Sequence, residues 1–307
     1  MIIYKKKDLV PPIKEMPDNP IAKMNKLPSF LVNWIVKLNY KKMRAGMGGN
    51  SKDISKQPIK VSNQKIKGFK DLINVRIYSP KTDDIKPVHV FFHGGGFFGG
   101  SLDAVDDYCK AVSDQGNCVV VSVDYHLAPE HKYPEGIEDA YAAILWIINH
   151  KKSLKVNINK LSVSGDSAGG NIAAVMTLMA KDRKAFKIDK QVLIYPTINA
   201  AKALTTKDPL NKAMLKLYLK KIKDAKHPYV SPYLYSDQSD LPDTLIAVGE
   251  YDFLKEESYL YAKKLDEHNV SVTHILYANA FHAFIDNTGN DLNANDLASE
   301  VANFINQ

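Results

Sequence analysis

The chain has 307 residues, of which 45% are hydrophobic and 24% charged, the balance of an ordinary globular protein. That excludes wholesale disorder, a collagen-like fibre and a polytopic membrane protein, and the length suffices to bury a large core without disulfides. The formal charge of +7 is concentrated in residues 1–60, which hold 13 Lys and Arg against 4 Asp and Glu. Only three cations are arginine (Arg44, Arg76 and Arg183), so forked recognition of phosphates or bases is disfavoured and nucleic acid is not expected as a partner.

The N-terminal segment is punctuated by Pro11, Pro12, Pro17, Pro20 and Pro28. Met1 to Tyr4 run straight into Lys5-Lys6-Lys7 with no apolar stretch behind them, so no secretory signal is read there. Ser29–Arg44 reads as one amphipathic helix, with Leu31, Trp34, Ile35 and Leu38 on an apolar face and Lys37, Lys41 and Arg44 on another. Such a basic helix packs on a core or touches anionic lipid. From about residue 64, short apolar runs alternate with helical stretches. The runs predict strands at Val75–Tyr78, Val88–Phe92, Cys118–Val123, Leu161–Ser164, Val192–Tyr195, Thr244–Val248 and Val272–Tyr277. Helices are predicted at Asp103–Asp114, Gly136–Asn149, Ala168–Ala180, Ala213–Lys223, Glu256–Glu267 and Leu292–Ile305. The alternation implies an α/β fold, a mostly parallel sheet with helices on both faces. Residues 199–231 break it with a Lys-rich helix and read as an insertion over the sheet. Cys109 and Cys118 lack metal-site or framework spacing and read as reduced thiols of a cytoplasmic protein.

The strongest chemical signal is Gly165-Asp166-Ser167-Ala168-Gly169, a G-x-S-x-G between an apolar strand and a helical pattern. A strand that turns at once into a helix forces its central residue into a strained conformation, which only tiny neighbours permit. The serine hydroxyl then stands clear of the sheet, at a helix N-terminus that favours negative charge. The second signal is His93-Gly94-Gly95-Gly96-Phe97-Phe98, again after a strand. Bare glycines let backbone N–H groups face a site, as an oxyanion hole requires, and Gly94, Gly95 and Ala168 are the expected donors. Gly94, Gly96 and Gly99 also match a dinucleotide fingerprint, but the helix begins only after Ser101 and that reading leaves Ser167 unused.

A nucleophilic serine needs a base, and the base an orienting acid. His282 lies five residues past the last strand, in a loop, whereas His274 falls in phase with Val272 and Leu276 inside it. Asp252, just past another strand end, is the expected acid, with Glu250 and Asp286 as rivals. A cofactor is not called for. No metal is expected either, since His126 to His131 loosely follow a zinc signature but Pro129 breaks the helix it needs.

Together His93-Gly94-Gly95-Gly96, Asp124-Tyr125-His126-Leu127-Ala128-Pro129-Glu130, Gly165 to Gly170, Tyr251-Asp252 and Phe281-His282-Ala283-Phe284 resemble the hormone-sensitive-lipase-like branch of the α/β-hydrolase esterases. The resemblance runs from about residue 64 to the C-terminus. It implies an eight-stranded α/β-hydrolase core over residues 61–307, with a cap formed by residues 1–60 and the insertion at 199–231. It also implies hydrolysis of acyl esters with Ser167, Asp252 and His282 as triad. His126, Phe253 and Ala283 stand where the family usually has Arg, Pro and Gly. The expected function is a serine carboxylesterase for short- to medium-chain acyl esters. The alternatives are an amidase or deacetylase on the same triad, and a non-catalytic ligand-binding hydrolase fold. Trp34, Phe97 and Phe98 are candidate walls of an acyl pocket. The expected partner is a small-molecule ester, without stable membrane insertion, and a homodimer is left open.

Overall fold

A computed structural model describes residues 1–12, 24–82 and 84–307. Pro17, Pro20 and part of the N-terminal cap segment therefore lie outside the described residues. The chain runs β1 (Ile2–Lys7), α1 (Ser29–Ala45), β2 (Ile59–Lys67), β3 (Leu72–Pro80), β4 (Lys86–Phe92), α2 (Asp106–Gln115), β5 (Val119–Asp124), α3 (Glu135–Asn149), β6 (Val156–Asp166), α4 (Ala168–Arg183) and β7 (Lys190–Ile194). It continues through α5 (Lys202–Thr205), α6 (Pro209–Tyr218), β8 (Asp243–Gly249), α7 (Lys255–Glu267), β9 (Val272–Tyr277) and α8 (Leu292–Ile305). The strands form one sheet in the order β1-β9-β8-β7-β6-β4-β5-β3-β2, and every pairing is parallel except β2 with β3 and β3 with β5.

Successive strand residues face opposite sides, and both sides are covered. Val90 and Phe92 join a core with α3, α4 and α7, while Phe91 joins one with α2 and α8. This is why the central strands read as unbroken apolar runs. Helix α4, behind the sheet's centre, is buried on every side from Ala168 to Ala180, and its small residues allow it. Among the described residues no helix is long and apolar enough to cross a membrane.

The sheet has nine strands rather than eight. The additional edge strand, β1, is the Ile-Ile-Tyr-Lys-Lys-Lys run, paired with β9 from Ile2 opposite Val272 to Lys7 opposite Tyr277. Its lysines disguise it as a solvated tail. Lys5 and Lys7 instead reach Glu300 of α8 at 2.8 and 2.7 Å. Strand β2 was equally illegible, because it is a largely exposed edge whose residues are mostly polar. The Lys-rich helix of the insertion is displaced: it spans Pro209–Tyr218 and is followed by a short 3-10 turn at Ile222–Lys226.

Helix α1 also presents a different face from the one expected. Its buried residues are Val32 and Val36, whereas Trp34 and Leu38 are each 61% exposed. Apolar residues occupy too much of its circumference for spacing alone to select the inward side.

His274 packs inside the sheet as its phase predicts, beside Tyr4 and Tyr259, with no hydrogen-bond partner for its Nε2 among the described residues. Burial lowers its pKa to about 4. An unfolded histidine titrates near ~6.5, so below that pH the unfolded chain binds the extra proton and stability falls until about pH 4. His274→Phe, which keeps the ring contacts, should remove about 3 kcal/mol of the acid destabilisation accumulated between pH 7 and pH 4. Urea unfolding of both proteins across that range measures it, and parallel pH profiles would contradict it.

Candidate active site

Strand β6 passes directly into α4 through Ser167, whose backbone sits at φ 52°, ψ −111°. A non-glycine residue there is strained, and the neighbours show what permits it. A Cβ on Gly165 would lie 2.3 Å from Gly169, and one on Gly169 would lie 1.9 Å from the Phe92 carbonyl oxygen. The turn is pinned by backbone bonds as well: Ser167 N–H donates to Ile194 O at 2.8 Å, and Ser167 O accepts from Asn171 and Thr197.

The three residues expected to act together meet here. Ser167 Oγ lies 2.9 Å from His282 Nε2, and His282 Nδ1 lies 2.8 Å from Asp252 Oδ2. They are separated by 85 and 30 residues in sequence and are brought together by the carboxyl ends of β6, β8 and β9. The Asp252 side chain has no exposed surface, and its other oxygen accepts the Leu254 N–H at 2.7 Å. Both oxygens are thus engaged, as a buried carboxylate requires. The chain with Nδ1–H donated to Asp252 leaves Nε2 free to accept from the serine.

The rival acids sit elsewhere. Glu250 accepts the Asn279 N–H through its carboxylate. Asp286 is half-buried, and desolvation raises its pKa to about 6 against the opposing pull of His282.

Ala283 adopts φ 65°, ψ 27°, the left-handed region where glycine is unstrained. Phe253 places its exposed ring 4.6 Å from the His282 ring, where a proline would offer no such face. His126 turns inward instead, its Nδ1 2.7 Å from buried Asp139.

The glycine loop places the expected oxyanion donors unequally. Gly94 N–H is already donated to Asp166 Oδ1 at 2.7 Å, and a Cβ on Gly94 would strike the same carboxyl group. Gly94 is therefore spent on holding the loop to the elbow. The N–H groups of Gly95, Gly96 and Ala168 have no acceptor among the described residues. Gly95 and Gly96 take φ 114° and 61°, which turns the loop back on itself. Asp166 is fully enclosed, and burial together with nearby Asp286 pushes its pKa up. Sequence reasoning missed it because it reads only as the variable position of G-x-S-x-G.

The suggested pocket walls are placed unequally. Phe97 is buried and stacks face to face on Tyr218, with centroids 3.9 Å apart. Phe98 has 0% exposure, so it backs the loop and offers a substrate no surface. Trp34 stands outward on α1. Met214 of α6 comes to the loop instead, close enough that a Cβ on Gly96 would meet its methyl at 2.7 Å. Among the described residues no cluster of His, Cys, Asp and Glu could hold a metal ion.

Comparison with known proteins agrees with this fold. A family model described as alpha/beta hydrolase fold matches residues 89–286. An arylesterase of Saccharolobus solfataricus is 31% identical over 247 residues, covering 76% of this chain and 80% of that protein. The carboxylesterase NlhH of Mycobacterium tuberculosis is 37% identical over 215 residues, covering 65% of this chain and 67% of its own length. Among solved structures, an esterase of Pyrobaculum calidifontis superposes with a TM-score of 0.75 at 32% identity, covering 94% of this chain and 98% of the other. The match spans the whole site from the glycine loop to the His282 loop, and the chain belongs to the α/β-hydrolase fold family, in its hormone-sensitive-lipase-like branch.

Proposed function

We propose that this protein is a serine carboxylesterase that cleaves short- to medium-chain acyl esters through an acyl-enzyme. The observation that carries the reading is the continuous line from Asp252 through His282 to Ser167, with hydrogen-bond separations of 2.8 and 2.9 Å. In this reading Ser167 Oγ attacks the ester carbonyl while His282 Nε2 accepts its proton. Asp252 keeps the ring in the useful tautomer and stabilises the imidazolium. The N–H groups of Gly95, Gly96 and Ala168 hold the oxyanion. His282 then protonates the leaving alcohol, and the same base activates the water that releases the acid. Each oxyanion donor accounts for about 3–4 kcal/mol of barrier lowering.

The chain-length preference follows from what stands beside the loop. Half-buried Met214 supplies apolar surface next to Gly96, backed by the buried Phe97–Tyr218 stack, which suits an uncharged acyl chain and repels a charged one. Helix α1 and residues 199–231 form the roof in this reading. The buried thiols Cys109 and Cys118 fit a reducing, cytoplasmic setting.

Ser167→Ala should fold normally and lose about a million-fold in turnover of 4-nitrophenyl butyrate. It should also lose labelling by a fluorophosphonate probe. Retained turnover, or wild-type protein that the probe leaves untouched, contradicts the mechanism. Asp252→Asn should preserve the fold and lower kcat by about 10⁴-fold, since the amide favours the wrong imidazole tautomer. Ala283→Gly should leave kcat unchanged and raise stability by about 1 kcal/mol, read by calorimetry, because it relieves the left-handed backbone.

A further inference from the structure

The loop that carries Gly95 and Gly96 is tied down from a distant part of the sequence. Arg44, in the last turn of α1, donates through Nε to the Phe98 carbonyl at 2.6 Å and through its terminal nitrogen to the Ala128 carbonyl at 2.8 Å. The same guanidinium forks onto Glu130, at 2.8 and 3.3 Å, and Glu130 also accepts the Tyr40 hydroxyl. Ala128 closes the ring, since its own N–H donates to the Phe97 carbonyl at 2.9 Å. Two consecutive carbonyls of the glycine loop are thus held by one side chain and the peptide it grips. Phe97 itself sits at φ 66°, a conformation that a phenylalanine keeps only when its surroundings impose it. Two residues on, Met47 packs so closely that a Cβ on Gly99 would lie 2.2 Å from its sulfur.

We propose that Arg44 is a positioning residue for the reaction: by fixing the Phe97 and Phe98 carbonyls it aims the Gly95 and Gly96 N–H groups, so that docking of α1 and readiness of the oxyanion hole are one event. The inference rests on the esterase reading above and assigns it a residue outside the stretch matched by the family model, residues 89–286. The chemistry of arginine is specific to the task. Its planar fork satisfies two backbone carbonyls and a carboxylate at once, whereas a lysine ammonium on a flexible stem cannot meet all three in fixed geometry. Since a displacement of about 1 Å in a reacting geometry costs on the order of 10²-fold in rate, loosening this tether acts on turnover.

The test is steady-state kinetics with 4-nitrophenyl butyrate on the wild type, Arg44→Ala and Arg44→Lys, with thermal unfolding as the control for folding. The expected result is a fall in kcat of about 10- to 100-fold for Arg44→Ala, with KM changed less than about 3-fold. Lysine should restore part of the loss, and guanidinium ion added at millimolar concentration should restore part of it in Arg44→Ala. Affinity for a trifluoromethyl ketone, whose adduct places an oxyanion in the hole, should fall in step with kcat/KM. Should Arg44→Ala fail to fold, Arg44→Lys carries the test through the ketone affinity and through faster amide exchange at Gly95–Gly100. A kcat within about 2-fold of wild type, a loss confined to KM, or ketone affinity that does not move overturns the proposal. Wild-type protein that neither turns over the ester nor reacts with a fluorophosphonate overturns the esterase reading itself and this inference with it. An active wild type with an indifferent Arg44→Ala overturns the inference alone.

Discussion

Everything in this fold is arranged around the passage of β6 into α4 through a single strained residue. Ser167 at φ 52° holds its hydroxyl off the sheet, and the strain is supportable only because Gly165 and Gly169 let two segments approach closer than any side chain allows. The same close approach brings the Phe92 carbonyl against Gly169 and so fixes where β4 must end. The glycine loop begins at that end. Its position beside the serine is therefore a consequence of the packing of the elbow, and the Gly94–Asp166 bond fastens one to the other. Helix α4 can then be buried on every side, with Gly169 and Gly170 of its first turn lying close against the ends of β4 and β7.

Burial sets the electrostatics in the same neighbourhood. Asp252 is enclosed yet has both oxygens engaged, one by the His282 ring and one by a backbone N–H, so its charge is compensated where it lies. Asp166 is enclosed nearby and Asp286 is half-buried, and desolvation pushes both upward, in Asp286 against the pull of His282. Of the three carboxyls, Asp252 alone is aligned with His282 Nδ1.

The site was more legible than the periphery, for a physical reason. The elbow and the glycine loop tolerate few residue types, so Gly165, Ser167, Gly169 and the run after His93 carry their geometry in plain letters. Phase within β9 was enough to separate His274, packed in the sheet, from His282, beyond it. What escaped were features decided by partners. Strand β1 looks like a charged tail until Glu300 and Asp296 are placed beneath its lysines. The inward side of α1 depends on what α6 presents to it. Gly94 and Gly95 are indistinguishable as letters, and only the Asp166 carboxyl reveals that one N–H is occupied and the other free.

The basic character of the first 60 residues takes on a different meaning once these contacts are assembled. Read alone, 13 cations against 4 anions suggest a solvated face or an anionic partner. Several of those cations are instead matched within the chain: Lys5 and Lys7 by the acids of α8, and Arg44 by Glu130. Their placement is not random with respect to the site. β1 extends the sheet beside β9, Lys7 O accepts the Ala278 N–H, and Val10 O accepts from Asn279, four and three residues before His282. α1 reaches the opposite flank through Arg44, at the loop that faces Ser167. The N-terminal segment therefore grips the two loops between which the serine stands. Charge complementarity in exposed pairs contributes little to stability, about 0–1 kcal/mol each. Its value here lies in register: the pairs of Lys5, Lys7 and Arg44 select one way for β1 and α1 to lie beside a site whose parts must be held to within a fraction of an ångström.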